Sequence, residues 1–219
     1  MNTTKNINYK LLAEAISHYE TFGYKQIEVP WIISSDEMRF RPITDDSFIL
    51  DKGIFCGSVN SPFELIGSAE QSFAWLIAEK LLSPGKYMSV TPCFRSDPED
   101  VFHQRYFMKL ELIQFNPAYS FEHPSPVNPF NDFMDMVGNV KRYYESILND
   151  HREGLQVHYD SHYYMDLDNC SIDLMYNRIE LGSYGIRTIT DLEDNAFTYV
   201  YGTGIALPRF SIAMDYKWS

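Results

Sequence analysis

Residues 91–115 read TPCFRSDPEDVFHQRYFMKLELIQF. In the first arm and just before it, Ser89, Thr91, Cys93 and Arg95 alternate with Met88, Val90 and Phe94. In the second arm, Phe107, Lys109 and Glu111 alternate with Met108, Leu110 and Leu112. A period of two sends the two sets to opposite faces of a strand. Between the arms, Ser96 to Val101 is rich in turn formers around Asp97-Pro98. The stretch therefore predicts an antiparallel hairpin with Arg95, Arg105, Phe107, Lys109 and Glu111 on one face. Such a face suits a nucleotide and an amine: phosphate to guanidinium, base to ring, amine to carboxylate. A plainer reading is a hairpin with a solvated charged face, and the hairpin by itself favours that one.

Upstream, Leu11, Leu12, Ala15, Ile16, Tyr19 and Phe22 recur at three- and four-residue steps, which predicts an amphipathic helix over residues 8–22. Gly23 is its stop, and a short strand from Lys25 to Val29 runs up to Pro30. Residues 34–66 are mixed, with turn signals at Pro42, 51–53 and 60–62. A second helix opens at Ser68, whose spacing to Gln71 is that of a capping box. It carries Ala69, Phe73, Leu76, Ile77 and Leu81 on one side and closes at Ser83-Pro84-Gly85.

Downstream, prolines 117, 124, 126 and 129 predict a stiff loop from Asn116 to Pro129. A helix from about Phe130 to Leu148 follows, with Phe133, Val137, Val140, Tyr144 and Ile147 as its buried stripe. Asn128-Pro129 gives it a cap and a first-turn proline. Strands then crowd together at 156–159, 171–175, 178–181, 186–189 and 197–200, and a short helix starts near Ile205 or Pro208. Many strands with few intervening helices predict an α+β fold, an antiparallel sheet flanked by helices. No linker divides the 219 residues, so a single domain over 1–219 is expected.

Composition narrows the function. The formal charge of −12 argues against a broad footprint on DNA or RNA, which rests on clustered Lys and Arg. The three cysteines, Cys56, Cys93 and Cys170, are far apart and odd in number, which reads as reduced thiols in a cytoplasmic protein. The first residues hold no apolar signal core, and no run reaches the length of a membrane helix.

Candidate chemistry lies in three places. Asp173 and Glu180 flank Asn177-Arg178, a candidate hairpin turn, and would then converge on one face. Two carboxylates facing phosphates are a usual way to hold Mg²⁺, although an exposed Asp and Glu on an acidic chain are the commoner case. Gly202-Thr203-Gly204, followed by Arg209, reads as a glycine turn entering a helix, where backbone N–H groups favour anions. His158 and His162 are four apart, but on a strand and turn rather than a helix, so they do not read as metal ligands. There is no phosphate-binding P-loop, Ser-His-Asp arrangement or HExxH zinc motif.

Taken together these stretches resemble the catalytic domain of class II aminoacyl-tRNA synthetases. Residues 19–30, YETFGYKQIEVP, are similar to its motif 1, which in the family builds a dimer interface; a homodimer through residues 8–30 is implied. Residues 94–111 resemble motif 2, with Phe94-Arg95-Ser96-Asp97 in the place of Phe-Arg-x-Glu and with His103, Phe107 and Glu111 on the far arm. GTGIALPR, 202–209, resembles motif 3. The resemblance implies ATP and Mg²⁺ as cofactors. Arg95 would hold the α-phosphate, and Asp97 and His103 would contact the adenine edge or outer phosphates. Phe107 would stack on adenine, with Arg209 on its other face or at the γ-phosphate. Ser68-Ala69-Glu70 resembles the loop that recognises the amino acid's α-amino group, with Glu111 beside it.

DLMYNRIELGSYGIR, 173–187, resembles the aspartate and asparagine branch, and part of it resembles ammonia-dependent asparagine synthetase. There Asp173 and Glu180 would bind Mg²⁺, and Arg187 would read the substrate side chain. Four positions depart from the pattern: Asp97 for Glu, Ala206 for a glycine, Pro208 before the arginine, and Phe73 where aspartate enzymes carry a lysine. The expected chemistry is aminoacyl-adenylate formation by a stand-alone paralogue without an anticodon-binding domain. The acceptor would be ammonia, an amine, a carrier or a protein lysine. Charging of tRNA is less favoured at this charge, and the alternative from another class is an inactive synthetase-like binding subunit.

Overall fold

The computed structural model describes residues 7–34, 41–42, 54–55, 63–95, 100–121, 127–159, 170–190, 193 and 195–215. Asp97, Cys56, His162 and the turn signals at 51–53 and 60–62 lie outside the described residues.

Helix α1, Tyr9–Glu20, starts where the Asn8 side chain accepts from the amides of Lys10 and Leu11. It buries Leu12, Ala15 and Tyr19, and Gly23, at φ +85°, turns the chain out of it. Strand β1, Lys25–Gln26, is shorter than the expected five residues. Three short strands follow, β2 Ile32–Ser34, β3 Arg41–Pro42 and β4 Ile54–Phe55, and then β5 Phe63–Leu65. Helix α2, Ala69–Ala78, has the predicted capping box, with Ser68 and Gln71 bonding reciprocally. It ends earlier than the sequence pattern suggests. Lys80 adopts φ +57°, so Leu81 turns out to 63 % exposure and Leu82 takes the buried place.

Strands β6, Gly85–Phe94, and β7, Tyr106–Phe115, form the predicted hairpin in unbroken antiparallel register from Gly85↔Phe115 to Phe94↔Tyr106. Helix α3, Pro129–Leu148, starts at the Asn128 cap with proline in its first turn. Its stripe is as expected except at the end, where Leu148 rather than Ile147 is fully buried. Strands β8 Leu155–Tyr159, β9 Ser171–Tyr176, β10 Ile179–Thr190 and β11 Ala196–Leu207 precede helix α4, Arg209–Asp215.

Two expectations fail in this C-terminal third. The strands expected at 178–181 and 186–189 are one continuous strand, β10, which takes up Leu181 by a register shift against β9 between Glu180 and Gly182. Gly202-Thr203-Gly204 is not a turn entering a helix. It lies buried inside β11, and the helix begins only at Arg209. Packing explains the glycines: a Cβ at Gly202 would stand 2.4 Å from the Tyr184 ring, and one at Gly204 2.3 Å from Leu110 Cδ2.

The main sheet runs β1-β6-β7-β11-β10-β9-β8, with β3 also on β10; among the described residues only the β1–β6 pairing is parallel. A smaller antiparallel sheet runs β2-β5-β4. One face of the main sheet, carrying Met88, Leu110, Leu112, Leu174, Tyr184 and Val200, packs on α1, α3 and α4 as the principal core. The opposite face is half covered by α2, whose Ala69, Phe73 and Ile77 pack on Ile113, Phe115, Tyr199 and Tyr201. The charged face of the hairpin belongs to this second side. Most of it is not solvated: Ser89, Thr91, Cys93 and Glu111 are fully buried and Phe107 and Lys109 nearly so, whereas Arg95 is half-buried and Arg105, at the hairpin's end, is exposed.

Candidate functional site

Cross-strand register collects the polar residues of the second face. Opposite pairs are Cys93↔Phe107, Thr91↔Lys109 and Ser89↔Glu111 on β6–β7, then Glu111↔Thr203 on β11. Arg187↔Tyr199 links β10 to β11, and Ser183↔Asp173 links β10 to β9. Residues opposite one another point to the same side, so Arg95, Phe107, Lys109, Glu111, Asp173 and Arg187 share one surface. The hairpin between β9 and β10 turns at Asn177 and Arg178, with φ +48° and +66°. Two positive φ values are the signature of the tight hairpin turn whose twist matches the strands. A register shift after Glu180 keeps it on the side of Asp173 and Ser183.

At the hairpin end of this surface, the Arg95 guanidinium lies 5.1 Å from the Phe107 ring centroid, and its Nε donates to the Gly67 carbonyl at 3.1 Å. Phe107 forms a small apolar island with Cys93 and Ala206. Burial pushes the Cys93 thiol up to about 11, against the opposing pull of Lys109, so it is not a thiolate at neutral pH. Arg209 follows β11 at the same end. It donates to the Phe102 carbonyl at 3.4 Å and to Glu180 Oε1 at 3.1 Å. His103 bonds Asp100 at 2.7 Å in an exposed turn, and that bond with the local amides holds the Asp100 carboxyl down at about 2.

Deeper on the surface are two buried ion pairs. Ser68, the cap of α2, donates to Glu111 Oε2 at 2.5 Å, and Lys109 Nζ reaches the same oxygen at 2.5 Å. Lys109 also reaches Ser68 Oγ at 3.3 Å. Glu70, in the first turn of α2, receives Arg187 Nη1 at 2.6 Å and the Tyr199 hydroxyl at 3.0 Å on one oxygen. The guanidinium of Arg187 lies 4.6 Å from the Tyr201 ring centroid. Burial works against the charge of Arg187, but Glu70, Tyr201 and Tyr199 outweigh it and raise its pKa. Burial raises the pKa of Glu111, Lys109 opposes this, and the negative charge of Glu70 adds to it. Each carboxylate keeps a second oxygen, Glu70 Oε2 and Glu111 Oε1, buried and without a hydrogen-bond partner among the described residues. Buried acceptors in this state are costly and mark a place where a donor belongs.

No protein-family model matches the chain, and no curated protein matches it. Solved structures do match in shape. A cytoplasmic serine-tRNA ligase from Naegleria fowleri, solved with AMP, superposes with a TM-score of 0.70 at 19 % identity, over 96 % of this chain and 54 % of the ligase. The chain thus spans about half the length of that enzyme. The PylSc pyrrolysyl tRNA synthetase of Desulfitobacterium hafniense superposes with a TM-score of 0.63 at 13 % identity, over 98 % of this chain and 71 % of the other. A second pyrrolysyl-tRNA synthetase structure from the same organism gives 0.62 at 14 % identity, over 98 % and 72 %. The fold is class II synthetase-like.

Within that fold the predicted residues fall into two groups. Ser68, Glu70, Glu111 and Arg187 meet in one buried cluster, and Arg95 and Phe107 stack beside it. Glu180 meets Arg209, whereas Asp173 accepts from Ser183. Among the described residues no three His, Cys, Asp or Glu side chains are grouped to hold a metal ion. His103 is taken up by its own turn. Phe73 is fully buried against the sheet, so no cation enters from that position. Sequence reasoning assigned no role to Lys109, Ser183, Tyr199 or Tyr201. Alternation already placed Lys109 beside Glu111 on the hairpin face. Tyr201 gave no such signal because β11 was read as ending at Val200, and Tyr199 lay inside that strand with no polar partner near it in sequence.

Proposed function

We propose that this chain activates an amino acid with ATP. A carboxylate oxygen of the amino acid attacks the α-phosphorus in line; the bond to the β-phosphate breaks, and pyrophosphate leaves with the electron pair. No protein nucleophile takes part. Catalysis is positioning and charge stabilisation. The observation that carries the reading is one juxtaposition. A guanidinium over an aromatic ring, Arg95 on Phe107, sits on the same sheet face as two buried carboxylates with unpartnered oxygens. The first is suited to phosphate and base, the second to an ammonium group.

ATP fits the first feature, with Arg95 at the α-phosphate, Phe107 under the adenine, and Arg209, His103 and Asp97 as further contacts. Asp173 and Glu180 are the oxygen donors that would hold Mg²⁺, which needs only one or two carboxylates beside phosphates and water. The ion would offset phosphate charge. Glu70, Glu111 and Ser68 would hold the α-ammonium. Residues 173–187 lean toward the aspartate and asparagine branch, and a charge of −12 favours a small acceptor over tRNA. A homodimer through residues 8–30 is part of the same proposal; Tyr9 on α1 is 66 % exposed there.

ATP–pyrophosphate exchange across the twenty amino acids tests this. Exchange with at least one is expected, as is its loss by two or more orders of magnitude in Arg95→Ala with the fold intact. No exchange with any amino acid refutes it. One observation favours a second reading, an inactive binding module: Arg209 and Glu180, proposed for nucleotide and metal, are bonded to each other. Thermal shift with millimolar MgATP separates the two readings from a protein that ignores nucleotides. A ligand at 100 times its Kd adds about 2.7 kcal/mol.

A further inference from the structure

We propose that a second binding site, for a small zwitterion of amino-acid size, lies at the open end of the β6–β7 hairpin. It does not depend on the adenylation reading. The site is a cavity of about 270 Å³ whose walls include Gly85, Lys86, Gln114, Asn116, Tyr119 and Asp132. Gly85 and Lys86 open β6, and Gln114, near the end of β7, stands directly across from Lys86. Asp132 lies in the first turn of α3. Strand β6 is 10 residues long, about 30 Å, and Arg95 and Phe107 lie at its other end. Alternation also puts Lys86 and Gln114 with Met88 and Leu112 on the helix-packed face, opposite the face that carries Glu111. The cavity is therefore separate from the candidate active site.

Gln114 is 6 % exposed, and its Oε1 is buried without a hydrogen-bond partner among the described residues. The orientation of this amide follows from its neighbours. Tyr119 gives its one proton to Asp132 Oδ2 at 2.6 Å. Burial pushes the Tyr119 hydroxyl up, the bond to Asp132 adds to this, and the Gln114 side chain opposes it as a donor. Gln114 thus turns its N–H end to Tyr119 and leaves its carbonyl oxygen over. A buried acceptor in this state marks a place for a donor. Lys86 makes no ion pair among the described residues; its Nζ lies 5.7 Å from the Tyr24 ring centroid, and the Tyr24 hydroxyl is itself buried and unpartnered.

The cavity offers an uncommitted cation, a carboxylate and a buried acceptor. A lone anion would meet Asp132 and leave Gln114 unanswered, and a lone cation would meet Lys86. A molecule with both charges answers all three. Its carboxylate takes N–H bonds from Lys86, and its ammonium donates to Gln114 Oε1 and to Asp132, which accepts more than one bond. Size points to the same class. The volume is many times the ~30 Å³ share of one water, yet just under the about 300–1,000 Å³ of pockets that take larger ligands.

The test is an NMR titration of the isotope-labelled full chain with glycine, β-alanine and γ-aminobutyrate, with acetate, methylammonium and glycerol as controls. Saturable shifts of the Gly85 backbone amide and the Gln114 side-chain amide are expected with at least one zwitterion, at least tenfold tighter than with any control. Affinity should fall at least tenfold in Lys86→Met and in Gln114→Met, both checked for folding by circular dichroism. Lys86 is only half-buried, so Lys86→Met keeps the test open should Gln114→Met not fold. No saturation with any zwitterion, or a control that binds as tightly, overturns the inference. So does undiminished affinity in Lys86→Met, and so does saturation confined to amides around Glu70 and Glu111. None of these outcomes touches the adenylation reading, which stands or falls on pyrophosphate exchange.

Discussion

Replacing Arg187 by Met removes the cation from Glu70 and leaves the aliphatic bulk. Glu70 is 1 % exposed and Arg187 15 %, so the pair is largely out of water. Removing one partner of such a pair costs about 3–5 kcal/mol. The open edge of Arg187 argues for the lower half of that range. For a chain of this size each kcal/mol shifts the midpoint by about 2–4 °C, so Tm should fall by about 6–16 °C. The Tyr199 hydroxyl still donates to Glu70, which keeps the loss from exceeding the range. Urea titration gives ΔΔG, and a cycle with Glu70→Gln gives the coupling. The double variant should recover much of the loss, because an amide in place of the carboxylate needs no counter-charge. A loss below about 1 kcal/mol, the value of a surface pair, would refute the account of a buried and mutually dependent cluster. So would a double variant no more stable than Arg187→Met alone.

Three further outcomes are expected. Gly204→Ala puts a methyl 2.3 Å from Leu110 Cδ2 and 2.9 Å from the Tyr19 ring, so it should destabilise by about 1–3 kcal/mol in urea titration. Arg178→Gly relieves a left-handed backbone at φ +66° and should raise the unfolding free energy read from urea titration, by about 1 kcal/mol at most because glycine also loosens the unfolded chain. His103→Ala removes the bond that holds Asp100 low, so its carboxyl should titrate closer to its ordinary value in a carbon-detected NMR titration. In the wild type, a carboxyl held at about 2 in the fold favours the folded state above its ordinary value near 3.8. That advantage disappears as pH falls through 2, and in His103→Ala it should be smaller.

Local chemistry was readable in the sequence, and long-range pairing was not. The hairpin face, the Ser68–Gln71 box, the Asn128-Pro129 start and the Asn177-Arg178 turn each depend on residues a few places apart, and each stands as expected. Gly202 and Gly204 misled because a glycine required by a neighbouring ring has the same letter as one required by a turn. Gly182 and Gly185 fall in the gap between the strands read at 178–181 and 186–189, yet both are paired within β10. Residues of the site came forward individually, but their partners did not. That Glu70 is held by Arg187, or that Lys109 is neutralised by Glu111 and thereby withheld from a substrate, depends on how β7, β10 and α2 converge. The solvated-face reading failed for the same reason, since nothing near the hairpin in sequence announces that α2 and the Ser68 loop will close over it.

Tyr19 gives its hydroxyl to the carbonyl of Gly204, 185 positions along, and Glu70 waits 117 positions for Arg187. A ribosome adding about 5–20 residues each second needs roughly 6–23 s to cover the second interval. For that time a carboxylate destined for the interior has no counter-ion, and the hairpin has no β11 to pair with. Such non-local topology also slows folding once the chain is whole. The nascent polypeptide therefore carries its pocket in halves, and a chaperone that shields the β6–β7 edge until Leu207 has emerged would be expected to raise the yield of folded protein.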